Sequence, residues 1–128
     1  MAKKILLFNF SGHPLPTTPK GYEVINSEIS TANLSTPQKV IDTIVQLLRP
    51  IYEKYTDEIL KGRYEIVLPG MSVLSNTMLV VLHGISGHFP KIRYTYRTEA
   101  GSFALSNTFD LQKVRLTARD SRFFASSK

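Results

Sequence analysis

A chain of 128 residues, 42% apolar and 20% charged, fits one globular domain over 1–128 and leaves no room for two independent cores. It has no cysteine, which excludes disulfides, zinc–thiolate centres and thiol nucleophiles. The formal charge is +6 and uneven: residues 1–64 carry 8 basic and 6 acidic side chains and residues 65–128 carry 8 and 4, an excess of +2 and then +4.

The opening MAKKILLFNF has the outline of a signal peptide, but Asn9 interrupts its apolar stretch and no small-residue cleavage site follows. It reads instead as a first strand, with Ile5, Leu6, Leu7 and Phe8 continuous, as in a strand covered on both faces. NFSGHP then forms a loop, and 22–25 a short second strand. The polar stretch 26–36 reads as a loop that serves either as lid or as linker. Thr36-Pro37 starts a helix, Thr as N-cap and Pro at the first helical position. Ile41, Ile44, Leu48, Ile51, Tyr52, Tyr55 and Ile59 give it an apolar stripe that keeps its phase across Pro50, where a kink or short break is expected. Gly62 ends it.

A strand over 64–68 follows, then the turn Pro69-Gly70-Met71 and a helix capped by Ser72, with Leu74, Met78, Val81, Leu82 and Ile85 on its apolar side. Phe89-Pro90 closes that helix. A fourth strand over 92–96 alternates Ile92, Tyr94 and Tyr96 with Arg93 and Thr95. Residues 102–105 suit an edge strand, and Asp110 caps a last basic helix with Leu111, Val114 and Ala118. Strands alternating with helices imply an α/β domain with a mostly parallel sheet flanked by helices. The longest unbroken apolar run, 78–82, is far too short to cross a bilayer, and no long Lys/Arg block suits duplex DNA. A soluble, cytoplasmic protein is the expectation.

In such sheets ligands bind beyond the carboxyl ends of the strands, where the connections diverge. Two polar, Gly-containing loops fall there: NFSGHP after the first strand and PGMSVLSN after the third. The first amides of the helix starting near Ser72, with the Ser72 and Ser75 hydroxyls and the Asn76 amide, suit a phosphate. Ordinary capping fits the same residues, and both readings stay open. No GxxxxGK[ST] or GxGxxG is present. In the other loop, His13 has the chemistry of an acid or base, with an unperturbed pKa of ~6.5, and fits equally well as an exposed loop residue. Gly12 marks a bend or close approach. His83 and His88 stand five apart rather than four, with no carboxylate nearby in sequence, so no metal site is expected. For His83 a helix-end or interface role is favoured over catalysis. No paired carboxylates, GxSxG elbow or Ser-His-Asp order offers a strong base. Cleavage without one suits attack of a ribose 2′-hydroxyl on its neighbouring phosphate, because the nucleophile is already in the substrate. Basic clusters at Lys91, Arg93 and Arg97, and at Lys113, Arg115, Arg119 and Arg122, suit an anionic partner or simply a solvated face.

ILLFNFSGHPLP, YEIVLPGMSVLSNTMLVVLHGISGHFPKIRY and the DLQKVRLTARDSR tail resemble small CRISPR-associated accessory proteins, the type III Csx group in the branch numbered fifteen, over most of the chain and in the same order. The resemblance implies a CARF-like, Rossmann-like domain that binds cyclic oligoadenylate, cyclic tetra-adenylate favoured. Its implied role is to switch that signal off, by capture or by slow, metal-independent ring opening to products ending in 2′,3′-cyclic phosphate. A homodimer or higher homo-oligomer is implied too, since a two-fold dimer matches the ring's pseudo-symmetry. The loops carry over as Asn9, Ser11, His13, Gly70, Ser72, Ser75 and Asn76. Phe10, Gly12, Pro69 and Met71 complete the expected ligand-binding set, with adenines near Phe10, Met71 and Tyr22. His13 is the candidate catalytic residue, and no metal or cofactor is expected. No lysine stands beside PGMS to balance charge on the phosphate, which weighs against fast cleavage. Two alternatives stand beside this reading. One is a protein-interaction subunit of a CRISPR or other complex with no nucleotide ligand. The other is a linear RNA binder acting through the basic C-terminal helix.

Overall fold

A computed structural model describes residues 3–27, 33–120 and Phe124. Residues 28–32 of the expected lid or linker, and Arg122 of the tail, lie outside the described residues. The chain runs β1 (Ile5–Asn9), β2 (Tyr22–Asn26), α1 (Pro37–Lys54), α2 (Thr56–Leu60), β3 (Tyr64–Val67), α3 (Ser72–Ser86), β4 (Lys91–Arg93), β5 (Thr95–Arg97), β6 (Phe103–Leu105), β7 (Phe109–Asp110) and α4 (Leu111–Arg119). Five strands form one sheet in the order β2-β1-β3-β4-β7; every pairing is parallel except that of β7 with β4. This is the Rossmann-like α/β arrangement expected. β1 has β2 on one side and β3 on the other, so the connections leaving β1 and β3 diverge at their carboxyl ends, the switch point at which parallel sheets offer a crevice.

One face of the sheet is apolar and helix-covered. Leu6 lies opposite Tyr64 and Phe8 opposite Ile66. All four join Val40, Ile44, Leu48 and Ile51 of α1, Ile59 of α2, and Leu74, Met78 and Leu82 of α3 in a single buried cluster. Each such side chain contributes roughly 1.5–3 kcal/mol when fully buried. The buried stripe on α1 begins with Val40 rather than Ile41, which is 43% exposed. One residue turns the helix by about 100°, so Val40 and Ile41 flank the arc of Ile44, Leu48 and Ile51 on opposite sides, and the core lies on the Val40 side.

Three local expectations are corrected. First, the break, one of the two outcomes expected at Pro50, falls five residues later: α1 runs through Pro50 to Lys54 and breaks at Tyr55 (φ −124°, ψ 38°). Pro50 lacks the amide that would reach Gln46, yet the Tyr55 amide still reaches the Ile51 carbonyl at 2.8 Å, so the ladder recovers before the break. The break keeps the Tyr55 ring against Phe8, with centroids 5.5 Å apart. Second, the strand expected over 92–96 is two strands. Tyr94 is tied by backbone and side chain to Ser106 (2.7 and 2.9 Å), which draws the chain out of the sheet into an antiparallel ribbon of β5 and β6. The edge strand expected at 102–105 therefore pairs in that ribbon. Third, the sheet edge is closed by β7, a two-residue strand too short for any periodicity to show. Two capping expectations hold: Thr36 accepts from the Lys39 amide and Asp110 from the Lys113 amide, both at 3.2 Å. After α2 the chain turns at Gly62 (φ +68°), where a Cβ would stand 2.8 Å from the His88 ring. Both the conformation and the packing call for glycine there.

Candidate functional site

Asn9 ends β1 only 2% exposed, and its amide organises the loop after it. Nδ2 donates to the His13 carbonyl and to Asn26 Oδ1, both at 2.8 Å. Oδ1 accepts from the Ser11 amide at 3.1 Å and the Ser11 hydroxyl at 2.7 Å. Those four bonds use the amide's full capacity. Ser11 in turn accepts from the His13 amide at 3.2 Å. Gly12, at φ +81°, makes the bend. The loop is also sewn to both neighbouring strands: the Phe10 amide donates to the Val67 carbonyl at 2.9 Å and the Ser27 amide to the Asn9 carbonyl at 3.0 Å. The result is a stiff wall on one side of the crevice.

The other wall is the start of α3. Met71 is its N-cap, in extended backbone, and makes no side-chain capping bond. The first helical bond runs from the Ser75 amide to the Met71 carbonyl at 3.0 Å. The amides of Ser72, Val73 and Leu74 therefore precede the ladder and lack an acceptor within the helix. This corrects the expectation that Ser72 is the cap: it is the first helical residue. Ser75 directs its hydroxyl back to the Ser72 carbonyl at 3.1 Å, and Asn76 is exposed with no side-chain bond among the described residues. Pro69 is buried, while Gly70 is exposed, has no positive φ and would place a Cβ near nothing within 4 Å. Neither conformation nor packing requires glycine at 70, so the open approach to the backbone is what it supplies.

The structure thus brings Asn9, Ser11, Gly12 and His13 to one carboxyl-end loop and Pro69, Gly70, Met71, Ser72, Ser75 and Asn76 to the neighbouring one. Two expected base contacts fall elsewhere. Phe10 is 0% exposed and belongs to the apolar cluster, so its ring presents no surface to an adenine. Tyr22 begins β2, at the far end of the sheet, with the Arg93 guanidinium 4.8 Å over its ring. Met71 is 55% exposed beside the free amides. His13 uses its backbone to close the loop, and its exposed imidazole makes no hydrogen bond among the described residues. His83 packs on Phe89 at 4.4 Å between ring centroids, at the end of α3. Among the described residues no group of three or more His, Asp or Glu could hold a metal.

A polar cluster that no sequence motif announces lies on the sheet face turned away from α1, α2 and α3. Glu65 of β3, 5% exposed, accepts from Arg93 Nε at 2.7 Å, from the Tyr22 hydroxyl at 2.6 Å and from the Thr108 hydroxyl at 3.0 Å. Arg93 also donates to the Ser106 carbonyl at 2.9 Å and the Tyr22 hydroxyl at 3.1 Å. Burial works against its charge, but the hydrogen bonds and charge of Glu65, with help from Tyr22, outweigh that and raise its pKa above the usual arginine value. The signal available was a lone acid inside the apolar strand YEIV. Burial alone raises the Tyr64 pKa well above its ordinary value.

Two hollows lie away from the crevice. One of about 710 Å³ opens at the amino ends of β1 and β3; its five cations (Lys3, Lys4, Lys54, Arg63, Lys91) meet four acids (Glu23, Asp57, Glu58, Glu65), so it holds little net charge for an anion. The other, of about 670 Å³, lies between Tyr94, Tyr96 and Phe109. No helix is long and apolar enough to cross a membrane among the described residues. No family model matches the chain, and no curated protein or solved structure matches it either.

Proposed function

We propose that the chain binds cyclic oligoadenylate, cyclic tetra-adenylate favoured, in the crevice between the 9–13 loop and the start of α3. The observation that carries this reading is the unserved trio of amides at Ser72, Val73 and Leu74, set at the topological switch point of a parallel sheet beside a loop that Asn9 holds rigid. Preorganised amides bind phosphate without paying for loop ordering. Open backbone at Gly70 gives the phosphate its approach. Adenine contact falls to Met71, since the Phe10 ring is buried and Tyr22 lies at the far end of the sheet.

The role is control of a type III CRISPR signal by capture of the ring, with two copies of the chain presenting equivalent loops to it across a two-fold axis. Slow ring opening is the secondary outcome: the crevice offers amides to stabilise phosphate charge and only the exposed imidazole of His13 as a base. Incubation with labelled cyclic tetra-adenylate separates the two. Intact ligand retained on the protein means capture; linear product over many turnovers means an enzyme, and His13→Ala then slows it. A melting temperature unmoved by cyclic tri-, tetra- and hexa-adenylate would refute the binding reading.

A further inference from the structure

Tyr94 and Tyr96 stand two residues apart on one face of the ribbon, their ring centroids 6.3 Å apart. Tyr96 lies opposite Ala104, whose methyl is too small to cover an aromatic ring. The two rings are accordingly 49% and 47% exposed, and Phe103 and Phe109 close by in the chain are 58% and 41% exposed. Aromatic side chains of this size are normally spent in a core. Tyr94, Tyr96 and Phe109 line the hollow of about 670 Å³, whose remaining wall is Leu105 and the polar segment from Ser106 to Thr108; Phe103 lies outside it, with the Arg97 guanidinium 5.2 Å over its ring. Ser106 and Thr108 are engaged with neighbours, but the exposed Asn107 side chain makes no hydrogen bond among the described residues.

The electrostatics of this region are one-sided. Residues 91–119 hold Lys91, Arg93, Arg97, Lys113, Arg115 and Arg119 against Glu99 and Asp110, six cations to two acids. Arg93 is consumed by Glu65; Arg97, Lys113, Arg115 and Arg119 are exposed. α4, which carries three of these, starts at Leu111, two residues past Phe109 on the rim of the hollow. It buries none of its own residues, so its cations serve no core.

Flat rings open to solvent, an amide and exposed cations, each without an ion pair or side-chain hydrogen bond among the described residues, are together the requirements of a single-stranded nucleic acid: bases stack, an amide reads a base edge, cations follow the phosphates. We propose that the ribbon hollow is a nucleobase platform for a single strand, with Tyr94 and Tyr96 stacking bases, Asn107 reading an adenine edge, and Arg97 and α4 tracking the backbone. The site lies on elements other than the crevice and does not depend on it.

The test is fluorescence anisotropy of a labelled linear octa-adenylate RNA against the full chain at low and moderate salt, with folding of each variant checked by its melting temperature. The wild type binds, and affinity falls steeply with salt. Tyr96→Ala weakens binding about tenfold or more, and Tyr96→Trp, which keeps a stacking face, restores it. Asn107→Ala narrows the preference for octa-adenylate over octa-uridylate. The proposal is overturned if the wild type does not bind the linear strand, or if Tyr96→Ala binds it as the wild type does. It is overturned equally if Tyr96→Ala breaks a self-association while leaving RNA affinity unchanged, since the rings would then serve a second copy of the chain. Failure here leaves the crevice reading standing, because that reading fails on cyclic tetra-adenylate alone.

Discussion

Tyr64 and Ile66 turn one way from β3 into the helix-covered cluster, while Glu65 between them turns the other way into its ion pair with Arg93. The two faces of one strand are thus held by different physics. On the helix side, stability is spread over many apolar contacts and each loss is graded by the volume removed. On the far side, a few polar atoms bind Tyr22, Glu65, Arg93 and Thr108 together, and the loss of one leaves another buried without a partner. The comparison teaches that the apolar side sets most of the stability and the polar side fixes where the segment after β6 lies.

Single substitutions that break this contrast fall in a clear order, and one paired replacement sharpens it. Phe8→Ala, at a site 1% exposed and in contact with both the Tyr55 and Tyr64 rings, costs about 3–5 kcal/mol by denaturant unfolding. Arg93→Ala strips Glu65 of its charge partner and costs about 3 kcal/mol, toward the lower end of values for broken buried pairs because the cluster lies near the surface. The pair replacement Glu65→Leu with Arg93→Met costs less than about 1 kcal/mol, because no buried charge is left over. A double mutant as damaging as Arg93→Ala would show that the cluster acts through specific geometry rather than charge pairing. Asn9→Ala costs about 2 kcal/mol and loosens the 9–13 loop, which faster hydrogen exchange at the Ser11 amide reports.

Much of the fold was legible because it rests on local signals. The Thr36-Pro37 start, the four-residue spacing along α1 and the apolar run of β1 are each visible within a few residues. So were the two loops at the crevice, since the order of strands and helices places them there before any coordinate is known. What was not legible depends on distant partners. Nothing near Glu65 announces Arg93, 28 residues on, and nothing in the run 92–96 shows that Ser106 will pull Tyr94 out of the sheet. Phe10 looked available because it sits in a polar loop, yet its backbone continues the pairing with β3 and its ring drops into the core. Ser72 looked like a cap because serine favours that position; the helix begins one residue earlier than that role requires, and this leaves the amides free.

The account rests most heavily on those amides, and Ser72→Pro isolates one of them. Proline suits the first helical position and follows the extended Met71 without strain, so it deletes one N–H and no intrahelical bond; the Ser72 hydroxyl goes with it, and Ser72→Ala is the control that removes the hydroxyl alone. Calorimetric titration of cyclic tetra-adenylate into both proteins is the direct measurement. The account predicts heat and saturation for the wild type, and for Ser72→Pro an unchanged melting temperature with affinity lowered about tenfold or more, the worth of one amide bond to a charged group. Equal affinity in the two proteins, or no heat from the wild type, would contradict it.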